Sequence, residues 1–198
     1  MFEPLFKYIE EYSSLTLSDK DKHLMQETFK YKKLRKKQYY LQEGDVSKYI
    51  SFLIKGAMRM YSVDQKGHEH IVRFGVENWW MGDYESNNLN TPSKFYIDAV
   101  EDSELLTVTN AQIQELITNI PAFDEMIRML DRRANIATQN RIHAAISLTA
   151  EERYQHLQNA YPAFIQRFPQ GMVASYLGIS PETLSRIRKH SIMSKKES

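Results

Sequence analysis

The sequence predicts an α+β chain in which an antiparallel barrel or jelly roll is followed by one long helix and a small helical domain. Three observations predict it. Residues 38–110 form short segments rich in Ile, Val, Phe and Tyr, separated by turns at Glu43-Gly44-Asp45, Lys55-Gly56, Asp64-Gln65-Lys66-Gly67 and Gly82-Asp83. From residue 111 the apolar period becomes helical. The last fifty residues are divided by Pro162, Pro169, Gly171, Gly178 and Pro181, which suits short helices joined by tight turns. The boundaries expected are 1–120 for the first domain, 121–148 for the long helix and 149–198 for the last.

Each element follows from a local pattern. Leu5, Ile9 and Tyr12, then Leu24, Met25 and Phe29, recur at helical spacing, and Ser18 before Asp19 and Asp21 suits a helix N-terminus. In "YISFLIKG", Ile50, Phe52 and Ile54 alternate and mark one strand face as buried. Pro121 can open a helix at its first position. Phe123, Ile127, Leu130, Ala134, Ala137, Ala144 and Leu148 then fall on alternating spacings of four and three, with Arg141 interrupting the row. Such a seam fits a partner helix from a second copy or the barrel of its own chain. On the first reading, Phe123, Ile127, Leu130, Ala134 and Ala137 are the dimer interface.

Composition excludes several functions. The sequence has no cysteine, which removes disulfides, thiolate nucleophiles, cysteine-type zinc sites and thiolate-ligated iron–sulfur clusters. His68 and His70 share one side of a strand, but two ligands without an evident third partner do not make a metal site. No apolar run reaches the roughly 20 residues of a membrane span. The opening MFEPLFKYIEEY carries acids where a signal peptide carries bases, so a soluble cytoplasmic protein is expected. No nucleophile, metal or acid–base constellation suggests an enzyme. Net charge is only +1, so affinity for nucleic acid must come from local placement. Residues 149–198 hold 7 basic and 4 acidic side chains, with Arg186, Arg188, Lys189, Lys195 and Lys196 close together. A second basic run, "KYKKLRKK" at 30–37, lies between the first helices and the strands and reads mainly as solvated surface, with nucleic-acid contact the alternative, since nothing around it offers an element to enter a groove.

The segment "GMVASYLGISPETLSRIRKH", residues 171–190, reads as a helix-turn-helix. Its first helix buries Val173, Tyr176 and Leu177 and turns the small Ala174 toward the second. Gly178 supplies the left-handed backbone of a tight turn, and Ile179 fills the gap between the helices. Ser180 is an N-cap and Pro181 stands at the first helical position. Leu184 and Ile187 face inward, leaving Pro181, Glu182, Ser185, Arg186 and Lys189 on a free face. Arginine reads guanine O6 and N7, glutamate accepts from cytosine N4, and Thr183, Arg188 and Lys189 can hold phosphates. A plain helical hairpin with solvated charges is the alternative.

The chain resembles the Crp/Fnr family of bacterial transcription regulators over nearly its whole length. The likeness rests on "EGD" at 43–45, "ISFLIKGAMRMYSVDQKGHEHIVRF" from residue 50, "MGD" at 81–83 and "FYIDAVEDSELLTV" from residue 95, followed by the long helix and the helix-turn-helix in family order. The resemblance implies a cyclic-nucleotide-binding-like β-roll effector domain, a long dimerisation helix and a winged helix-turn-helix, acting as a homodimer on DNA. Two such heads would read half-sites about 34 Å apart in a roughly palindromic operator, with RNA polymerase a further partner if the protein activates. By the family motif Glu182 and Arg186 stand at base-contacting positions. Pro181 replaces an arginine of the cyclic-AMP-responsive members, so a different target sequence is expected.

Nucleotide-binding members hold the cyclic phosphate with a Gly-Glu turn and a later Arg-Ser pair. Here the corresponding residues are Gly82, Asp83, Ser93 and Lys94, which makes them the candidate effector pocket. The acid is shorter and the arginine is absent, and lysine lacks the planar fork, so cyclic AMP is not the expected ligand. Heme lacks a ligand set, and no other cofactor is indicated. The expected function is a sequence-specific DNA-binding regulator. A sensor that acts through protein partners is the alternative.

Overall fold

Ser18 opens the second helix as the sequence suggests. The computed structural model describes the backbone of residues 1–194 and the side chains of residues 1–190. Helix α1 (Glu3–Ser13) ends at Ser14 in the left-handed conformation, φ 58°. Helix α2 (Asp19–Thr28) starts on a reciprocal capping box between Ser18 and Asp21. Both lie on the core that also holds Phe123 and Met126.

Eight strands follow: β1 (Lys30–Leu34), β2 (Tyr39–Leu41), β3 (Tyr49–Lys55), β4 (Met58–Val63), β5 (Glu69–Gly75), β6 (Trp80–Met81), β7 (Tyr96–Ala99) and β8 (Ser103–Thr109), with the short helix α3 (Tyr84–Leu89) between β6 and β7. They make two open antiparallel sheets, ordered β1-β8-β3-β6 and β2-β7-β4-β5. The jelly-roll expectation describes this pair, whereas a closed barrel does not, because each sheet keeps its edge strands. Gly56 turns β3 into β4 with φ 100°, and a Cβ there would come within 2.4 Å of Ser103 Oγ. Only glycine fits both demands.

Leu34, Leu41, Leu53, Met58, Met60, Met81, Ile97 and Leu105 fill the space between the sheets. The other side of β3 is covered as well: Ile50 and Phe52 pack under α1 and the long helix with Phe29, Trp80 and Phe123. The alternation in "YISFLIKG" therefore marked the helix-covered face, while Ser51 and Leu53 are buried on the opposite face. A strand enclosed on both sides carries no single polar face.

Helix α4 (Asn110–Asn119) starts on a capping box between Thr109 and Gln112, and α5 (Pro121–Ser147) runs for 27 residues with proline at its start. Four helices complete the described chain: α6 (Ala150–Ala160), α7 (Pro162–Arg167), α8 (Gln170–Leu177) and α9 (Pro181–Ser194). The family resemblance implied a winged head. Between α6 and α8 the structure has helix α7, and no strand follows β8 among the described residues. None of the described helices is long and apolar enough to cross a membrane.

Candidate nucleic-acid interface and effector site

Helices α8 and α9 cross as the sequence predicts. Gly178 is left-handed at φ 67°, and the Ile179 amide donates to the Ala174 carbonyl at 3.0 Å, closing the turn. Ser180 caps α9 by accepting from the Thr183 amide at 3.2 Å. Val173, Ala174, Leu177, Leu184 and Ile187 are buried between the helices. Pro181, Glu182, Arg186 and Lys189 are exposed, and Thr183, Ser185 and Arg188 are half-buried beside them. Arg186 reaches back to Thr183 Oγ1 at 3.3 Å, and Gln170, Ser185, Arg188 and Lys189 line an open recess at the side of α9. The Glu182 carboxyl is held below its usual range by its own backbone amide, then by the Ser180 hydroxyl. An ionised acceptor thus stands one turn before Arg186 on a face that packs against nothing. Lys195 and Lys196 lie outside the described residues.

This head is seated on the outer face of the β2-β7-β4-β5 sheet. Phe74 of β5 stacks on Phe168 at 3.9 Å and meets Phe164 and Tyr176 at 5.2 and 5.0 Å. Trp79 meets Tyr161 and Phe164, each at 5.5 Å. Ser175 joins the edge of β5: its hydroxyl accepts from the Ile71 amide at 2.9 Å and donates to the Glu69 carbonyl at 2.8 Å. Arg167 at the end of α7 places Nη2 2.6 Å from Glu101 Oε2 and Nη1 2.5 Å from Glu77 Oε2. Hydrogen bonds that Arg167 donates to Glu101 and then to Glu77 raise its pKa, so the clamp stays charged. Arg141 of α5 donates to the Val72 carbonyl and lies 4.6 Å over the Tyr176 ring.

Sequence reading missed Arg167, Ser175 and Phe74 as a contact set. The aromatic density of "YPAFIQRF" at 161–168 was the one signal available; nothing local distinguishes Ser175.

Three of the four candidate effector residues come together. Asp83, buried, caps α3: Oδ1 accepts from the amides of Glu85 at 3.1 Å and Ser86 at 3.3 Å, and Oδ2 accepts from Ser93 Oγ at 2.7 Å. Gly82 lies against β3, where a Cβ would sit 2.5 Å from Ile50 Cδ1. Lys94 points away and pairs with Glu85 at 3.6 Å on the surface. Asp83 and Ser93 thus satisfy each other, and an anion placed there would meet a buried carboxylate. The acidic partner missing beside His68 and His70 is Asp64, whose Oδ2 lies 3.2 and 3.1 Å from their ring nitrogens. Among the described residues no group of three such side chains is arranged to hold a metal.

The seam on α5 divides. Phe123 is fully buried in its own chain, and Ile127 and Leu130 are half-buried against the same core. Ala134 and Ala137 are exposed. The large apolar residues exposed farther along the helix are Ile136, Ile142 and Ile146. Periodicity located an apolar row but not its cover, because one row serves the β-roll as well as a partner helix.

The chain thus joins a two-sheet domain through a long, half-bare helix to a crossed helix pair. A cyclic nucleotide-binding domain model matches residues 31–119. The chain is 25% identical over 167 residues to the fumarate and nitrate reduction regulatory protein of Yersinia pestis, covering 79% of this chain and 66% of that one. It is 24% identical over the same length to the anaerobic regulatory protein of Pasteurella multocida, covering 60% of it. The chain thus spans less than two thirds of these relatives' length. In fold it is similar to FixK2 from Bradyrhizobium japonicum, with TM-score 0.68, 16% identity and coverage of 85% and 86% of the two chains. It is also similar to the c-di-GMP responsive regulator CLP of Xanthomonas campestris, with TM-score 0.69, 13% identity and coverage of 90% and 93%. The solved structures show the same fold.

Proposed function

We propose that the protein is a cytoplasmic transcription regulator that binds duplex DNA through α9, as a homodimer on a roughly palindromic operator. The observation that carries this reading is the free face of α9: Glu182, Arg186 and Lys189 are exposed on a helix whose opposite side, Leu184 and Ile187, is buried. Such a face fits a major groove, with Arg186 and Glu182 on base edges and Ser180, Thr183, Ser185, Arg188 and Lys189 on the backbone. Pro181 has no amide to offer and places no polar group on a base. An operator selected from random DNA tests the reading. Arg186→Ala is expected to lose about 1–3 kcal/mol of sequence discrimination, whereas Lys189→Ala weakens all sequences alike and lowers the salt slope by about one. Equal losses on operator and random DNA from both substitutions would reject these roles. Absence of salt-dependent DNA binding would favour the protein-partner alternative.

The dimer surface proposed is the row Met129, Arg132, Ile136, Gln139, His143 and Ile146, which repeats at three and four along α5. Ala134 and Ala137 flank it. Ile136 and Ile146 are 57% and 80% exposed, an arrangement that a second helix would cover. Ile136→Glu is expected to shift the protein to monomer in analytical ultracentrifugation; an unchanged dimer would move the interface elsewhere. RNA polymerase becomes a partner if the regulator activates.

The engagement of Asp83 with Ser93 and the outward turn of Lys94 favour a β-roll that takes no cyclic phosphate at this position. An effector, if the roll has one, is then of another chemistry.

A further inference from the structure

Arg141 interrupts the apolar row of α5, and neither the core nor the free face of α9 accounts for it. From Asp131 to His143 every residue of α5 is exposed. Arg133 lies 4.4 Å over the Tyr12 ring of α1. Beyond Arg133, Arg141 is the one residue of α5 that reaches another element by a hydrogen bond, ion pair or ring contact among the described residues.

Two elements meet at its guanidinium. Nη1 donates to the Val72 carbonyl of β5, and the group lies 4.6 Å from the centre of the Tyr176 ring of α8. Strand β5 is an outer strand of its sheet, and its pairing with β4 slips at one point: Met60 and Tyr61 stand opposite Arg73 and Ile71, which leaves Val72 as the extra residue of a bulge. A bulge takes its extra residue out of the ladder, so the Val72 carbonyl is available to a side chain from outside the sheet. The same stretch of β5 offers the Ile71 amide and the Glu69 carbonyl to Ser175, the neighbour of Tyr176 on α8. Helix α8 in turn carries α9 on Val173, Ala174 and Leu177. Arginine suits this junction because one planar group can stack on a ring and donate to a carbonyl at once, which the ammonium of lysine does not combine. Water would satisfy an exposed carbonyl equally well, so what the contact adds is geometry. Without it the exposed half of α5 is joined to the head by the chain at Leu148 and Thr149, between the end of α5 and the start of α6.

We propose that Arg141 is a positioning residue for operator recognition: it fixes the exposed half of α5 against β5 and α8, and so sets the separation at which two copies present their α9 helices. Arg141 is then a determinant of half-site spacing, although it touches no base. The inference rests on the reading above of α9 as the DNA-contacting helix and of α5 as the dimer helix. Two heads reach both half-sites when their separation matches the helical repeat of the duplex, so a pinned α5 favours one spacing and a loosened α5 accepts several.

The test uses the full chain and four duplexes: the selected operator, the same operator with two base pairs added or removed between its half-sites, and a single half-site. Two base pairs move the second half-site by about 7 Å along the axis and roughly 70° around it. Affinities are measured for the wild type, Arg141→Met, Arg141→Lys and Tyr176→Phe. The wild type is expected to prefer the selected spacing. In Arg141→Met that preference falls by about tenfold, the worth of one exposed charged hydrogen bond with its ring contact, while binding to the single half-site is unchanged. Arg141→Lys should restore part of the preference, and Tyr176→Phe, which keeps the ring, should retain all of it. Thermal unfolding and sedimentation at the wild-type values show that the variants are folded and dimeric; if Arg141→Met does not fold, Arg141→Lys carries the same comparison. An undiminished spacing preference in Arg141→Met overturns the proposal. An equal loss on all four duplexes also overturns it, by making Arg141 a DNA contact or a plain structural residue. A wild type that binds the operator no better than the single half-site fails the dimer reading instead, and one that binds no duplex at low salt fails the DNA-binding reading.

Discussion

Replacing Phe74 by alanine is expected to destabilise the protein by about 3–5 kcal/mol, the cost of emptying a buried aromatic site that cannot collapse. Phe74 is 1% exposed and is shared between β5 and the head, touching Phe164, Phe168 and Tyr176. Its removal takes away buried area and three ring contacts, each worth about 0.5–1.5 kcal/mol beyond that area. The remaining attachments are Trp79 against Tyr161 and Phe164, and the polar contacts of Ser175 on the β5 edge and of Arg167 on Glu77 and Glu101, which exchange readily with water. Urea unfolding measures the loss, and hydrogen exchange at the Ile71 amide measures the docking, because that amide is bonded to Ser175. If stability falls by less than about 1 kcal/mol and the Ile71 amide stays protected, the head does not depend on this cluster.

Arg59→Met is the second large effect, about 3–5 kcal/mol. Arg59 and Asp98 are both nearly buried on neighbouring strands, with Nε 2.9 Å from Oδ1 and Nη2 3.0 Å from Oδ2. Nη2 also donates to Glu69 Oε1 at 3.2 Å, and the guanidinium lies 4.1 Å from the centre of the Tyr61 ring. Burial alone would lower the Arg59 pKa; hydrogen bonds to Asp98 and Glu69 outweigh it and raise the value, so the group is charged. Methionine fills much of the volume but leaves Asp98 buried without its partner. Adding Asp98→Leu should recover most of the loss, since removing both charges ends the desolvation penalty. Urea unfolding of the single and double variants decides between charge and packing. If the double variant is no more stable than the single one, Arg59 acts through packing and not through its charge.

These two residues belong to one path across the molecule. Asp98 and Arg59 join β7 to β4, Glu69 carries the contact to β5, and the Glu69 carbonyl receives the Ser175 hydroxyl of α8. The strand that follows Ser93 is thereby tied to the head by hydrogen bonds. A change at either end must be accommodated by this path or break it.

Much of the local structure was legible because single residues dictate it. Ser18 with Asp21 marks a helix start through the orphan amides of the first turn, and Pro121 marks one by having no amide to satisfy. Gly56 and Gly178 mark turns through their positive φ. The helix-turn-helix was readable in full, since its signals lie within twenty residues and concern each other. The candidate effector site was half legible: Gly82, Asp83 and Ser93 do converge, but the sequence does not reveal that the acid caps α3 or that Lys94 turns toward Glu85. The α5 row divides after Leu130: Phe123, Ile127 and Leu130 lean on the core of their own chain, and Ala134 and Ala137 do not, because an apolar stripe records that something covers it and not what.

By itself the sequence determined the broad order of elements, the starts of α2, α5 and α9, the crossed pair α8 and α9 with its charged outer face, and the exclusion of every cysteine chemistry. These depend on backbone preference and spacing over a few residues. Tertiary structure decided that β3 is buried on both faces, that the head sits on the outer sheet, and that Arg167 reaches Glu77 and Glu101. It also decided which part of α5 is left uncovered. Each of these joins residues dozens of positions apart, where the path of the folded chain sets the contact and no local preference encodes it.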